Sequence, residues 1–247
     1  KTGELTELAA PCEDGAVCRE DGQCVKPGGS PARLRNWPVL AMPLASGAAF
    51  LEIEKIANSR DHFIQAQVDL AALARSLKGG DWTPVFGRPV DTSRIYYAGQ
   101  SLGGILGATF TALEPTLSDA VLNVPGADTV DMFVESPFFG MQIDAFFQRE
   151  GVEPASFEGH RFLNVARWFM DAADPASFAR RLTEGGRDVL IQMATLDFII
   201  PNQFTRTLAD LSGAPRRDYV AEHAFLVVPI EPEFARGNSE MARFLSG

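Results

Sequence analysis

Apolar positions along this chain alternate between two spacings, one helical and one of short continuous runs. Residues 59–78 (SRDHFIQAQVDLAALARSLK) carry Phe63, Val68, Leu70, Leu73 and Leu77, a broad apolar stripe at helical spacing. Ser59 can cap this helix and Gly79-Gly80 stop it. The run RIYYA at 94–98 predicts a strand ending at Gly99, and LGGILGATFTAL at 102–113 a helix whose small residues allow close packing. Further strands are predicted at 120–124, 189–194 and 219–221, with helices at 202–211 and 239–245. Strands that alternate with helices imply an α/β fold, a mainly parallel sheet with helices on both faces.

Two stretches break this rhythm. Residues 1–36 are polar and contain Gly and Pro without apolar periodicity, so they read as a loop or arm preceding a main domain over 37–247. The first strand candidate of that domain, WPVLAMPL at 37–44, is weakened by its two prolines. Between two predicted strands, 128–184 is rich in Phe and Met, helical in pattern and interrupted by Pro137, Pro154 and Pro175. It reads as a helical cap over a site, the alternative being extra helical packing on the sheet.

The 247 residues suffice for one large domain, and 46% hydrophobic content permits a sizeable core. A net charge of −10 argues against a nucleic-acid partner, which clustered Lys and Arg would serve. No apolar run is long enough to cross a bilayer, so no transmembrane segment is expected. The chain opens on Lys1 without a signal-peptide pattern, which reads as a mature form or a fragment. Cys12, Cys18 and Cys24 are evenly spaced within PCEDGAVCREDGQCV. That spacing suggests a disulfide-stapled loop and an oxidising compartment; a zinc site is the weaker alternative, because no CxxC pair or nearby His completes four ligands.

The candidate chemistry starts at Gly99-Gln100-Ser101-Leu102-Gly103, a G-x-S-x-G match between a predicted strand and a predicted helix. A sharp strand-to-helix turn leaves the Ser101 hydroxyl exposed at the carboxyl end of the sheet. Gly99 and Gly103 are expected where a Cβ would clash, and the Leu102 N–H is placed to meet a developing oxyanion. Serine needs a general base, and the base an orienting acid. Of the three histidines, His62 lies in an amphipathic helix before the serine and His160 in the inserted segment. His223 follows the last strand, in the expected order serine, acid, histidine. Asp197 leaves the strand VLIQMA at the right point for the acid, whereas Asp210 sits in a helix and Asp218 and Glu222 come too late. Neither a metal nor an organic cofactor is required. Gln100, Phe138, Phe139 and Met141 are candidates for substrate contact. Phe133, Phe146 and Phe147 complete an aromatic cluster that is either an apolar pocket or ordinary core.

From about residue 46 onward the sequence resembles bacterial extracellular lipases and esterases of the virulence-factor lipase group, with myxobacterial-type relatives. The resemblance rests on SRDHFIQAQVDLAAL, GQSLGGILGATF, LNVPGADTVDMFVESPFFG, FMDAADPASFARRL, LDFIIPNQFTRTLA and EHAFL. It implies an α/β-hydrolase fold, hydrolysis of a small-molecule or lipid ester, and a secreted or periplasmic location. It also implies that Ser101, Asp197 and His223 form the triad and that the cysteine-containing loop is an insertion. The group's first strands and a following His-Gly segment supply a second oxyanion donor, and no His-Gly pair occurs here. Either the chain starts after those strands, or the donor comes from elsewhere, near Ser46-Gly47. Gln100 stands where many relatives have His. A non-catalytic binding module of the same fold, or an acyltransferase with the same triad, is the alternative reading.

Overall fold

The computed structural model describes residues 50–247 and, before them, the backbone at 17–18 and 24–25. Strands β1 (Val17–Cys18) and β2 (Cys24–Val25) pair antiparallel, with Cys18 opposite Cys24. They belong to the first of two units, Lys1–Ala49 and Phe50–Gly247. Most of the arm expected over 1–36, with Cys12, the strand at 37–44 and the donor near Ser46-Gly47 lie outside the described residues.

The second unit begins with helices α1 (Ile56–Gly79) and α2 (Thr83–Phe86). Strand β3 (Ile95–Gln100), helix α3 (Leu102–Leu113) and strand β4 (Leu117–Asn123) follow. Helices α4 (Thr129–Glu135), α5 (Gly140–Arg149), α6 (Phe157–Met170) and α7 (Pro175–Phe178) link β4 to strand β5 (Val189–Ala194). The chain then forms helix α8 (Asn202–Ser212), strand β6 (Arg216–Tyr219) and helix α9 (Phe234–Ser246). Strands β3 to β6 lie side by side in chain order, all parallel.

The pleat divides the strand residues between two cores. Ala120, Leu122, Val189 and Ile191 pack with Ala108 and Ala112 of α3 and Leu208 and Ala209 of α8. On the other side, Gln192 Nε2 donates to the Gly237 carbonyl of α9 at 3.1 Å. Met241 of that helix packs against a cluster that includes Ala194 and Tyr219. A sheet covered on both faces explains why every residue of β5 is buried and why five of its six residues are apolar rather than alternating with polar ones.

Several boundaries differ from the sequence pattern for definable reasons. Helix α1 starts before Ser59, which is fully buried and not a cap: its Oγ accepts from the Glu52 N–H at 2.7 Å. Val68 and Leu73 are 57% and 52% exposed, while Phe63 and Ala74 are buried. Val68, five residues after Phe63, is turned about 140° from it around the helix axis. The last strand is Arg216–Tyr219, earlier than the three apolar residues that suggested it, because its pairing partner β5 accommodates Arg216 and Arg217 at the sheet edge. Helix α9 begins at Phe234, five residues before the expected start.

Helix α3 lies so close to β3 that a Cβ on Gly107 would sit 2.1 Å from the Tyr97 ring. Overpacking of this kind costs about 1–3 kcal/mol, against roughly 1 kcal/mol of helix propensity that alanine gains. Gly107→Ala is therefore expected to lower the urea unfolding midpoint. An unchanged or raised midpoint would show that the approach is looser than described.

Candidate active site

Ser101 joins β3 to α3 with φ 56° and ψ −123°, a conformation that non-glycine residues rarely adopt. Two backbone bonds hold it there. Its N–H donates to the Asn123 carbonyl of β4 at 2.9 Å, and its carbonyl accepts from Ile105 N–H at 2.9 Å. A Cβ on Gly99 would lie 2.3 Å from the Gly103 carbonyl oxygen, so only glycine fits. Gly103 differs from expectation: its nearest neighbour, the Tyr97 hydroxyl, would be 3.9 Å from a Cβ, so crowding does not require glycine there. What matters at 103 is the carbonyl, which presses on Gly99 and accepts from Tyr97 Oη at 2.6 Å. Leu102 is the first residue of α3, and first-turn N–H groups have no acceptor within their own helix. Its N–H is thus available beside the serine oxygen.

The loops after β5 and β6 bring Asp197 and His223 to this turn. Thr195 N–H donates to the Tyr219 carbonyl at 2.8 Å and Leu196 N–H to the Ala221 carbonyl at 3.1 Å, so the two loops leave the sheet together. Asp197, its side chain 2% exposed, lies 2.7 Å through Oδ2 from His223 Nδ1. His223 Nε2 is 2.7 Å from Ser101 Oγ. The second carboxylate oxygen, Oδ1, accepts from the N–H groups of Ile199 and Ile200 at 2.8 and 2.9 Å. With both oxygens engaged, the carboxylate is fixed in plane and aimed at the imidazole. Gln100 Nε2 donates to the His223 carbonyl at 3.1 Å, so this side chain steadies the histidine backbone from the residue next to the serine.

The aromatic candidates form two ring clusters, bridged by Phe133, which packs against both. Phe139 meets Phe133 and Phe138 edge-to-face, with ring centroids 4.8 and 4.9 Å apart. Phe147 is buried with Ile143 and Leu163, and Phe146 packs against that cluster, so these two belong to the core. Met141 is 70% exposed. His62 sits edge-on to Phe50, and His160 is exposed on α6.

Two residues that sequence reasoning passed over fix the helices beside the site. Buried Asp174 accepts from the backbone N–H groups of Asp128, Thr129 and Ala176, joining the start of α4 to the start of α7. Its signal was the Asp-Pro pair, an N-cap followed by proline. Burial, and then the negative charges of Asp174 and Asp131, push the nearby Asp128 carboxyl above its usual range. Ser136 accepts from the N–H groups of Phe138 and Phe139 at 3.2 and 3.1 Å and donates to the Ile199 carbonyl at 2.7 Å. Only the first two of these contacts are local enough to read from the sequence.

No protein-family model matches the sequence, and no curated protein matches it. Among solved structures, acetyl xylan esterase 1 from Thermoanaerobacterium sp. aligns with a TM-score of 0.56 at 19% identity, over 78% of this chain and 58% of that one. An acetyl xylan esterase from Paenibacillus sp. R4 aligns with a TM-score of 0.50 at 19% identity, over 75% of this chain and 52% of that one. The chain thus spans between half and three-fifths of the length of these structures. It has the α/β-hydrolase fold, a parallel sheet flanked by helices.

Two outcomes follow from the turn. Gly99→Ala should displace Ser101 and cost about 1–3 kcal/mol of stability, read from urea unfolding; wild-type stability would contradict the close approach. Burial pushes the Tyr97 phenol up to about 12 from 10.0, so the folded protein keeps this proton to higher pH than the unfolded chain does. The stability it contributes is complete below about pH 10 and lost as the pH rises toward 12. Unfolding measured from pH 9 to 12 should show this decline in the wild type and less of it in Tyr97→Phe. Equal slopes would contradict the shift.

Proposed function

We propose that this chain is a serine hydrolase that cleaves carboxylic esters through an acyl-enzyme on Ser101. The observation that carries this reading is the continuous hydrogen-bond chain from Asp197 through His223 to Ser101, ending on a strained turn. Ser101 Oγ attacks the ester carbonyl carbon while His223 Nε2 takes its proton, and Asp197 holds Nδ1–H and stabilises the imidazolium. The Leu102 N–H stabilises the tetrahedral oxyanion. The intermediate collapses as His223 returns the proton to the departing alkoxide. Water, activated by the same histidine, then releases the acid. Phe138 and Phe139 are proposed to contact an apolar acyl or aryl group, with the 128–184 helices as a cap.

The finer assignment is to the extracellular lipase and esterase group, with a secreted or periplasmic location. Its support is the sequence resemblance together with the cysteine-containing segment, in which the β1–β2 register sets Cys18 opposite Cys24. A disulfide within this segment should appear as protected thiols in intact mass after alkylation without reductant. Three freely alkylated cysteines would contradict it.

Hydrolysis of a short-chain aryl ester tests the triad. Ser101→Ala should lower turnover by on the order of 10⁶, and Asp197→Asn, which favours the wrong imidazole tautomer, by about 10³–10⁴. A Ser101→Ala/His223→Ala double variant should be no worse than either single one, because the residues act as a unit. Losses that multiply, or a Ser101→Ala variant that keeps a tenth of its activity, would reject the assignment.

A further inference from the structure

The triad's hydrogen bonds do not end at Asp197. From its Oδ1 they continue to the Ile199 and Ile200 N–H groups, and the carbonyl of Ile199 accepts from Ser136 Oγ at 2.7 Å. Ser136 is 2% exposed and lies between α4 and α5, sixty-three residues before Ile199 in the chain. Its single hydroxyl fulfils both of its roles at once. It donates across to the acid loop and accepts from the two phenylalanine N–H groups behind it, at 3.2 and 3.1 Å. The backbone that carries Phe138 and Phe139 is therefore tied, through one oxygen atom, to the peptide that also presents an N–H to the acid.

The surrounding contacts make this junction specific. Helix α4 is secured at its start by Asp174 and at its end by Ser136, and Glu135 next to Ser136 accepts a further hydrogen bond from Gln203 of α8. Phe133 of α4 and Ile199 pack against one buried cluster with Met132, Ile200 and Phe204, so apolar contact accompanies the polar one. No other side-chain hydrogen bond described for the acid loop, residues 196–200, reaches α4 or α5. Removing the hydroxyl of Ser136, itself only 2% exposed, leaves the Ile199 carbonyl and two N–H groups without this partner, a cost that grows with burial.

We infer that Ser136 is a positioning residue that holds the Phe138–Phe139 wall and the Asp197 loop as one rigid piece. It thereby couples recognition of an apolar ester group to the orientation of the acid. This rests on the ester-hydrolase reading for its catalytic consequence, but the mechanical coupling does not. Loss of the hydroxyl changes two quantities that a purely structural residue leaves in proportion. Turnover falls because the carboxylate is no longer aimed, and discrimination between acetyl and longer acyl groups falls because the phenylalanines lose their anchor.

The test compares wild type, Ser136→Ala and Ser136→Thr, the last keeping the hydroxyl. Amide hydrogen exchange followed by mass spectrometry reads the coupling without reference to catalysis. Peptides covering both 137–139 and 197–200 should exchange faster in Ser136→Ala while β4 and β5 keep wild-type protection. Kinetics on p-nitrophenyl acetate and p-nitrophenyl octanoate read the consequence. In Ser136→Ala, kcat should fall on the order of ten- to a hundredfold, as expected for a displaced catalytic group. The octanoate-to-acetate ratio of kcat/KM should move toward one, and Ser136→Thr should restore both. Faster exchange confined to one of the two segments, or Ser136→Thr behaving as Ser136→Ala does, overturns the inference. If Ser136→Ala unfolds, exchange in the folded Ser136→Thr variant decides, with wild-type protection of both segments expected. If both segments loosen together in Ser136→Ala but the wild type hydrolyses neither ester, the coupling stands and the ester-hydrolase reading fails.

Discussion

Ser101 holds a positive φ only because α3 lies against β3 at a distance that no side chain on Gly99 would permit. The Gly103 carbonyl fills the space where that side chain would be, and the Tyr97 hydroxyl anchors the same carbonyl from the strand. A turn this sharp leaves the serine hydroxyl clear of both elements and puts the first N–H of a helix beside it. The strain of order 1–3 kcal/mol expected for such a conformation is sustained by the surrounding sheet, chiefly through the Asn123 carbonyl of β4. Asn123 is itself tied to Gln192 of β5, and Gln192 to Tyr219 of β6, so the turn is braced across the sheet.

The remaining chemistry follows from parallel strands in chain order. Each strand delivers the next loop to the same carboxyl edge, where open α/β sheets place their sites. β3 brings Ser101, β5 brings Asp197, and the loop after β6 brings His223. The two later loops share backbone hydrogen bonds, which explains how Asp197 and His223, twenty-six residues apart, meet at 2.7 Å. The helices between β4 and β5 are tied to one another by Asp174 and to the loop after β5 by Ser136.

Much of this was legible in the sequence because it depends on local order. Helix α3 and strand β5 follow directly from small-residue spacing and a run of five apolar residues among six. Chain order alone singled out Asp197 and His223, which the structure brings together beside Ser101. What could not be read depends on distance across the fold. Gly103 resembled Gly99 in the motif, yet only one of them faces a crowded space. Phe146 and Phe147 carried the same apolar signal as Phe138 and Phe139, and tertiary packing alone shows that Phe147 is buried with Ile143 and Leu163 while Phe138 packs against Phe139. Ser59 had the residue type of a cap but serves a turn seven residues earlier. The side chain of Gln100 reaches the carbonyl of His223 over 123 positions, a contact no spacing announces.

The proposed function requires that Ser101 be a nucleophile activated by His223. The most direct measurement is covalent labelling of the intact chain with a fluorophosphonate, with the modified residue located by peptide mass. One label per chain is expected, on Ser101, with labelling nearly abolished in His223→Ala although that variant stays folded. Label on a different serine, no label on the folded wild type, or equal labelling of wild type and His223→Ala would contradict it.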